Sequence, residues 1–157
     1  MHKEFFDLIK KDHEEVKSML DEMLELSSDN SSQLKEMFTQ LKQELIPHMK
    51  AEETAFYPIL VKNSATKEDA LEALEEHHAA EMVLNELDKM SKQDESWHAK
   101  LSVFKEMLDH HIEEEEGKIF DDAEEVISEE QIHRVMTNFQ KEKERIKTQV
   151  PVGSQSK

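Results

Sequence analysis

The sequence has no cysteine, two glycines, three prolines and no long apolar run. Without cysteine the chain can form no disulfide and offers no thiolate for catalysis, zinc binding or iron–sulfur ligation. The scarcity of glycine and proline argues against a fold of many short strands joined by tight turns. The short apolar runs exclude a transmembrane helix, and the first residues do not resemble a signal peptide. A cytoplasmic location is therefore expected.

Positive charge is also scarce. The 20 Lys and Arg residues are outnumbered by 37 Asp and Glu residues, which gives a formal net charge of −17. Such an acidic chain repels phosphate backbones and anionic lipid surfaces. We therefore expect neither a nucleic acid nor a membrane as a partner, whereas a protein partner is compatible with this charge.

Polar, turn-forming clusters divide the sequence into four long segments and a shorter fifth segment. The clusters lie at 27–32, 63–67, 91–96 and around Ser128. Within each segment, apolar residues recur every three or four positions, which predicts amphipathic helices. The expected helix N-caps are Ser32, Thr66, Ser96 and Ser128. Pro47 lies inside the second segment and is expected to kink that helix or break it briefly.

Four long helices with short connections predict an all-α protein with an up-down-up-down four-helix bundle. The fifth segment predicts an extra C-terminal helix, packed outside the bundle or at one end. A chain of 157 residues is typical of a single domain. We assign residues 1–147 to this domain and residues 148–157 to a flexible tail, because the tail has no apolar periodicity.

Each long segment places one histidine on its apolar stripe, and two segments add a glutamate one turn later. These residues are His13, His48, His77, His111, Glu52 and Glu115. A buried ionised carboxylate costs several kcal/mol unless it is paired or bound to a metal. Because an i, i+4 spacing places two side chains on one helix face, each glutamate can reach the same site as its histidine. The six residues therefore predict a metal centre inside the bundle.

The chain also repeats itself. Residues 12–23 align without gaps to 76–87, and residues 45–58 align to 108–121. The first alignment pairs His13 with His77, and the second pairs His48 with His111. A two-helix unit used twice predicts a pseudo-twofold bundle, which suits two equivalent metal ions.

Four motifs carry a family resemblance. They are DH at 12–13, HMKAEE followed by FYP at 48–58, EH at 76–77, and HIEEEE at 111–116. Over about residues 5–122 this pattern resembles the hemerythrin-like, or HHE cation-binding, family. The resemblance implies a non-heme di-iron site whose metal ligands are His13, His48, Glu52, His77, His111 and Glu115.

The chain departs from oxygen-carrying hemerythrins at two points. Those proteins have a further histidine where this chain has Ala73, and they place the last carboxylate five residues after its histidine. Here Glu115 follows His111 by four residues. The set is more similar to bacterial iron-repair and sensor members, which argues against reversible oxygen carriage.

The resemblance gives two classes of function. The first is binding or sensing of O2 or NO, or iron handling, at a centre held by four His and two bridging Glu. The second is a catalytic or repair role that handles NO or peroxide, or donates iron to damaged iron–sulfur clusters. The implied cofactor is two Fe ions in an Fe–O–Fe or Fe–OH–Fe centre, with Zn or Mn as other occupants.

Some histidines have competing interpretations. His78 competes with its neighbour His77 as the third-segment ligand, although the repeat favours His77. His110 is expected at the rim of the site, and His2, His98 and His133 are expected in solvent. Of the acidic run at 113–116, only Glu115 is expected to point inward. A ferritin-like site would instead use two E-x-x-H pairs, which are Glu75 with His78 and Glu130 with His133.

Overall fold

The computed structural model describes residues 2–150, and this range contains helices but no strand. The helices are α1 (His2–Glu25), α2 (Ser31–Ala55), α3 (Tyr57–Val61), α4 (Lys67–Lys89), α5 (Glu95–Glu114), α6 (Phe120–Val126) and α7 (Glu129–Lys147). A 3₁₀ turn, Ser28–Asn30, precedes α2, and a π-helical turn, Glu115–Ile119, joins α5 to α6. No helix within residues 2–150 is both long enough and apolar enough to cross a bilayer.

Four long helices close the bundle. Contacts link α1 to α2, α2 to α4, α4 to α5, and α5 back to α1. The fifth long helix, α7, packs outside this ring, mainly along α2 and also against α1. The predicted all-α four-helix bundle with an extra C-terminal helix is confirmed.

Two of the predicted helices are interrupted. The second runs through Pro47 without a break and ends at Ala55, and α3 starts after Phe56. Pro58 explains this position, because proline has no N–H to donate to the carbonyl of Thr54 and therefore favours the first turn of a new helix. The fourth predicted helix is interrupted by the π-helical turn at Glu115–Ile119, which the spacing of apolar residues did not predict. Such turns often lie at functional sites.

The helix caps agree only in part with the sequence. Ser128 caps α7 in a capping box with Gln131, as predicted. However, α2 follows Asn30 rather than Ser32, and α5 is capped by the carboxylate of Asp94, which accepts from the Ser96 N–H at 2.8 Å. Thr66 precedes α4, but its hydroxyl donates to the carbonyl of Leu60 at 2.6 Å instead of capping the helix.

The apolar core consists of two clusters that meet near the middle of the bundle. One contains Phe5, Ile9, Phe56, Phe120 and, from α7, Ile132, Val135 and Phe139. The other contains Val16, Leu20, Phe38, Leu84, Trp97 and Phe104. Along α1, His13 lies between Ile9 of the first cluster and Val16 of the second. The predicted metal-binding residues therefore lie at the junction of the two clusters.

The predicted domain boundary at 147/148 stays a prediction. Val150 is buried, and its N–H donates to the carbonyl of Ile146 at 3.2 Å. Residues 151–157 of the predicted tail lie outside the described residues.

Candidate metal centre

The six residues predicted as ligands come together at the junction of the core clusters. All are buried, and Glu52 and Glu115 have no exposed surface. Their donor atoms form two groups, within each of which the atoms lie within 4.8 Å of one another. The first group is His13, His48, Glu52 and Glu115, and the second is Glu52, His77 and His111. Glu52 therefore belongs to both groups. The role of these six residues as ligands stays a prediction.

The inward-facing atoms are in close contact. The two oxygens of Glu52 lie 3.4 Å from Nε2 of His48 and 3.3 Å from Nε2 of His77. An oxygen of Glu115 lies 3.0 Å from Nε2 of His13. Nε2 of His77 and Nε2 of His111 face each other at 3.1 Å. The four imidazoles thus direct the same nitrogen towards a common centre.

The opposite nitrogen of each imidazole donates to a carboxylate. The four Nδ1–H···O pairs are His48 with Asp12 at 2.8 Å, His77 with Glu53 at 2.9 Å, His111 with Glu76 at 2.6 Å, and His13 with Glu116 at 2.7 Å. A carboxylate on the outer nitrogen of a metal-binding histidine fixes the ring orientation and makes the inner nitrogen more basic. We call these four acids the orienting carboxylates.

The orienting carboxylates form a closed ring around the bundle. Asp12 of α1 accepts from His48 of α2, and Glu53 of α2 accepts from His77 of α4. Glu76 of α4 accepts from His111 of α5, and Glu116, just after α5, accepts from His13 of α1. Each acid is also the sequence neighbour of a predicted ligand. Asp12 precedes His13, for example, and Glu53 follows Glu52. The internal repeat therefore duplicates the orienting acids together with the ligands.

This arrangement fits a metal ion. Because each Nδ1–H donates outward, the Nε2 of each imidazole in its neutral form presents a lone pair to the centre. Within residues 2–150, Nε2 of His48, both oxygens of Glu52 and one oxygen of Glu115 are buried without a hydrogen-bond partner. Buried acceptors without donors are costly, and a cation bound among them would remove that cost. Nitrogen and carboxylate donors without sulfur suit Fe, Mn or Zn.

Without a metal, protons partly replace the cation. Burial disfavours the charged form of His48, but the charge of Glu52 and the hydrogen bond to Asp12 outweigh it and raise its pKa to about 10. The pKa of His77 rises to about 9, because the nearby carboxylates of Glu52, at 3.3 Å, and Glu53, at 2.9 Å, outweigh its burial. Burial also opposes ionisation of Glu52, yet the charge of His48 holds the pKa of Glu52 well below its usual value. Metal binding to this cluster would therefore release protons.

Three further residues contact the centre. The hydroxyl of Tyr57, the only tyrosine in the sequence, is buried and donates to Glu115. From α7, the Phe139 ring lies 5.8 Å from the His48 ring, and Nζ of Lys143 lies 2.8 Å from Asp12. The repeat pairs Tyr57 with Phe120, which indicates a packing role for Tyr57, and the sequence indicates no role for the other two. No short-range pattern links Phe139 to His48 or Lys143 to Asp12, because these contacts depend on how α7 docks.

The remaining predictions about histidines have mixed outcomes. His78 is exposed beside the buried His77, and both E-x-x-H pairs of the ferritin-like alternative lie on the surface. His110 is exposed, with Nε2 3.5 Å from Glu114, and His133 is exposed as expected.

Three expectations about exposure were wrong. His98 is only half exposed, and its Nε2 is buried. His2 is buried, because its ring bonds to the carbonyl of Ile127 at 2.7 Å. Glu116 is only half exposed, because it accepts from His13. The sequence signal for Glu116 was present, since its repeat equivalent, Glu53, also follows a predicted ligand.

A cavity adjoins one side of the centre. It has a volume of about 150 Å³ and lies between α4 and α5. Its lining is Met49, Glu76, His77, Ala79, Ala80, Met107, Leu108, His110 and His111. By contrast, the space among the four converging histidines is only about 10 Å³.

Comparison with known proteins agrees with this site. No solved structure matches the chain. One relative, a DNA nickase of Nostoc sp. (strain PCC 7120 / SAG 25.82 / UTEX 2576), is 24% identical over 140 residues, which is 89% of this chain but 39% of that protein. The family described as "Hemerythrin HHE cation binding domain" matches residues 4–123. The sequence motifs, the bundle and the buried His and Glu cluster agree with that match, and the chain belongs to the hemerythrin HHE cation-binding family of metal-binding proteins.

Proposed function

We propose that this chain is a non-heme di-iron protein that binds or senses O2 or NO, or handles iron, at the centre described above. One observation carries the proposal. Two donor groups, each with two imidazoles, share the buried carboxylate of Glu52. A shared carboxylate between two donor groups is the arrangement expected for a pair of metal ions.

The donor types support iron. Imidazole and carboxylate ligands without sulfur are compatible with Fe(II)/Fe(III) cycling, although zinc would bind such a set more tightly than Fe(II). Iron would supply one-electron chemistry towards O2 or NO. The protein's part is to hold the imidazoles in place through the orienting carboxylates and to keep bulk water from the centre with the two apolar clusters.

The test is anaerobic Fe(II) loading of the full chain, followed by metal analysis and optical spectra before and after addition of O2 or NO. We expect two iron atoms per chain and a spectral change with at least one of the two gases. Saturation at one iron per chain would contradict a di-iron centre. An iron-loaded protein whose spectrum responds to neither gas would contradict the sensing role.

Adjacent histidines provide a matched control. His77→Ala removes an inward nitrogen of the second donor group, so we expect reduced iron content and a perturbed iron spectrum. His78→Ala changes an exposed neighbour and should leave both unchanged. Equal effects of the two substitutions would mean that His77 does not bind the metal.

A catalytic or repair role is the second candidate, since the same donor set could handle NO or peroxide or release iron. Repeated addition of NO or peroxide separates the two roles, because a binding protein saturates whereas a catalyst turns over. Iron donation would appear as transfer of iron to an iron-depleted cluster protein mixed with the loaded chain.

The Nostoc relative raises DNA nicking as a further activity to test. The chain spans only 39% of that protein, and its net charge of −17 opposes binding to a phosphate backbone. We expect no nicking of supercoiled plasmid by the iron-loaded chain. Catalase should be present in the assay, so that strand breaks caused by free iron and peroxide are not counted as enzymatic.

A further inference from the structure

One of the four orienting carboxylates is covered by α7. Asp12 exposes 5% of its side chain, whereas Glu53, Glu76 and Glu116 expose 25%, 27% and 30%. Water can reach the three exposed acids and can bond to the oxygen that does not accept from histidine. Asp12 has little such access, so its second oxygen needs a donor from the protein.

Lys143 of α7 is that donor. Its Nζ lies 2.8 Å from one oxygen of Asp12, and the other oxygen accepts from Nδ1–H of His48 at 2.8 Å. The carboxylate is therefore held at both oxygens and cannot turn away from His48 without losing Lys143. The ring of Phe139, also from α7, lies nearly perpendicular to the His48 ring at 5.8 Å between centroids. The docked helix thus restricts this imidazole from two directions.

The α7 helix lies outside the part of the chain that matches the hemerythrin family. That match ends at residue 123, and α7 begins at Glu129. Buried residues of α7, such as Val135 and Phe139, pack into the first apolar cluster, so apolar contacts fix the position of Lys143. Exposed ion pairs contribute little, but here the side chains of Lys143 and Asp12 are only 20% and 5% exposed.

We propose that Lys143 is a positioning residue of the metal centre. It holds Asp12 against His48, so that the docked α7 helix slows the loss of metal from the first donor group. Nε2 of His48 can bind a metal ion only while the ring keeps one orientation, and the carboxylate on the outer nitrogen fixes that orientation. The proposal rests on the six predicted ligands binding metal, and it requires neither iron nor a response to O2 or NO.

The test uses the full chain with isotope-labelled histidine, loaded with zinc alone. Two rates are measured. The first is the rate at which excess chelator removes zinc, and the second is the rate at which each zinc-bound histidine exchanges its Nδ1 proton with solvent, followed by NMR. The contact with the Phe139 ring identifies the His48 signal. Lys143→Met removes the cation, and Lys143→Arg keeps a cation with N–H donors.

Two other lysines provide matched controls. Lys147→Met removes a different cation of α7, which lies 3.7 Å from Glu44. It tests whether a weaker attachment of α7 is sufficient for the effect. Lys50→Met removes an exposed cation that lies 3.5 Å from Glu53, an orienting carboxylate. It tests whether any cation beside such an acid has the same effect.

In the unmodified protein, the Nδ1 proton of His48 should exchange most slowly of the four, because its acceptor is the buried one. Lys143→Met should speed this exchange and the loss of zinc by about tenfold, and exchange at the histidines of α4 and α5 should not change. Lys143→Arg should stay closer to the unmodified protein. Lys147→Met and Lys50→Met should change neither rate.

The proposal is wrong if Lys143→Met leaves both rates unchanged, if either control has an equal effect, or if exchange rises equally at all four histidines. Slowest exchange at a histidine other than His48 would also contradict it, and that measurement needs no variant, so it stands even if Lys143→Met does not fold. A chain that binds no zinc would overturn the predicted metal centre itself. A chain that gives the expected zinc results but takes up no iron would contradict only the proposed function.

Discussion

Lys143 of α7 and Asp12 of α1 form an ion pair with an N···O distance of 2.8 Å, and the other oxygen of Asp12 accepts from His48 at 2.8 Å. The outer helix is thereby connected to the predicted metal centre through one carboxylate. Burial opposes ionisation of Asp12, but the hydrogen bonds and charges of His48 and Lys143 outweigh it and lower the pKa of Asp12.

Replacing Lys143 by Met should weaken this connection. We expect the free energy of unfolding to fall by about 1–2 kcal/mol, because a largely buried, charge-assisted hydrogen bond is lost. Urea unfolding of the metal-loaded protein measures the effect. Lys141→Met is the control, because Lys141 is an exposed residue of the same helix. Equal losses in the two variants would show that the ion pair with Asp12 contributes nothing specific.

Removing the charge of one orienting carboxylate should reduce metal affinity. In Glu76→Gln, the negative partner of His111 Nδ1–H is lost, and we expect affinity to fall by about tenfold. Competition with a chelator of known affinity measures the change. Glu75→Gln alters the exposed neighbour and should bind metal as the unmodified protein does. If both variants keep full affinity, the bond between Glu76 and His111 does not support binding.

The two buried glutamates should differ in their effect on metal content. Glu52 belongs to both donor groups and Glu115 to one, so Glu52→Ala should lower occupancy of both positions, whereas Glu115→Ala should spare the second group. Metal-free Glu52→Ala should still fold, because removing a buried carboxylate also removes its desolvation cost. Metal analysis and far-UV circular dichroism check the two parts. Full iron content in Glu52→Ala would exclude it as a ligand.

The hydroxyl of Tyr57 should stabilise the metal-free protein. In Tyr57→Phe, a buried oxygen of Glu115 loses its donor, and we expect a loss of about 1–3 kcal/mol in unfolding free energy. The substitution should fit sterically, because Phe120 occupies the repeat-related position. Denaturation without metal measures the loss, and an unchanged stability would show that the Glu115 oxygen finds another donor.

Stability of the metal-free protein should depend on pH. The pKa values of His48 and His77 are about 10 and 9 in the folded state, against about 6.5 in an unfolded chain. A raised folded-state pKa gives stability that is fully present below about pH 6.5 and is lost as pH rises towards 9–10. Urea unfolding from pH 6.5 to 9.5 should show this decline. Zinc-loaded protein should not show it, because metal replaces the protons. A flat profile without metal would contradict the raised pKa values.

The sequence predicted the bundle and the convergence of six residues because both depend on the spacing of side chains along the helices. Residues three or four positions apart lie on the same face of a helix. His13 and Glu52 could be placed at the centre for this reason alone. Interruptions were not predictable in the same way, since the π-helical turn at Glu115 keeps the apolar stripe almost in phase. The contacts of Lys143 and Phe139 depend on the docking angle of α7, which no local pattern encodes.

The orienting carboxylates were only partly predictable from the sequence. These acids lie inside motifs that occur twice in the sequence. However, each acid is adjacent to a predicted ligand, and adjacent side chains on a helix point about 100° apart. The sequence alone therefore suggests that the acids face solvent. The structure shows that this angle directs Glu53 and Glu116 across the gap to the neighbouring helix instead.

The closed ring of orienting carboxylates also limits how the helices can slide. Each interface between adjacent long helices contains one of the four His–carboxylate hydrogen bonds, so each helix donates one of these bonds and accepts another. Shifting a single helix by one turn, about 5.4 Å, would break both of its bonds and leave two histidine N–H groups without their carboxylates. The ring therefore favours the observed alignment of the four helices along the bundle axis, and its hydrogen bonds do so without a metal ion.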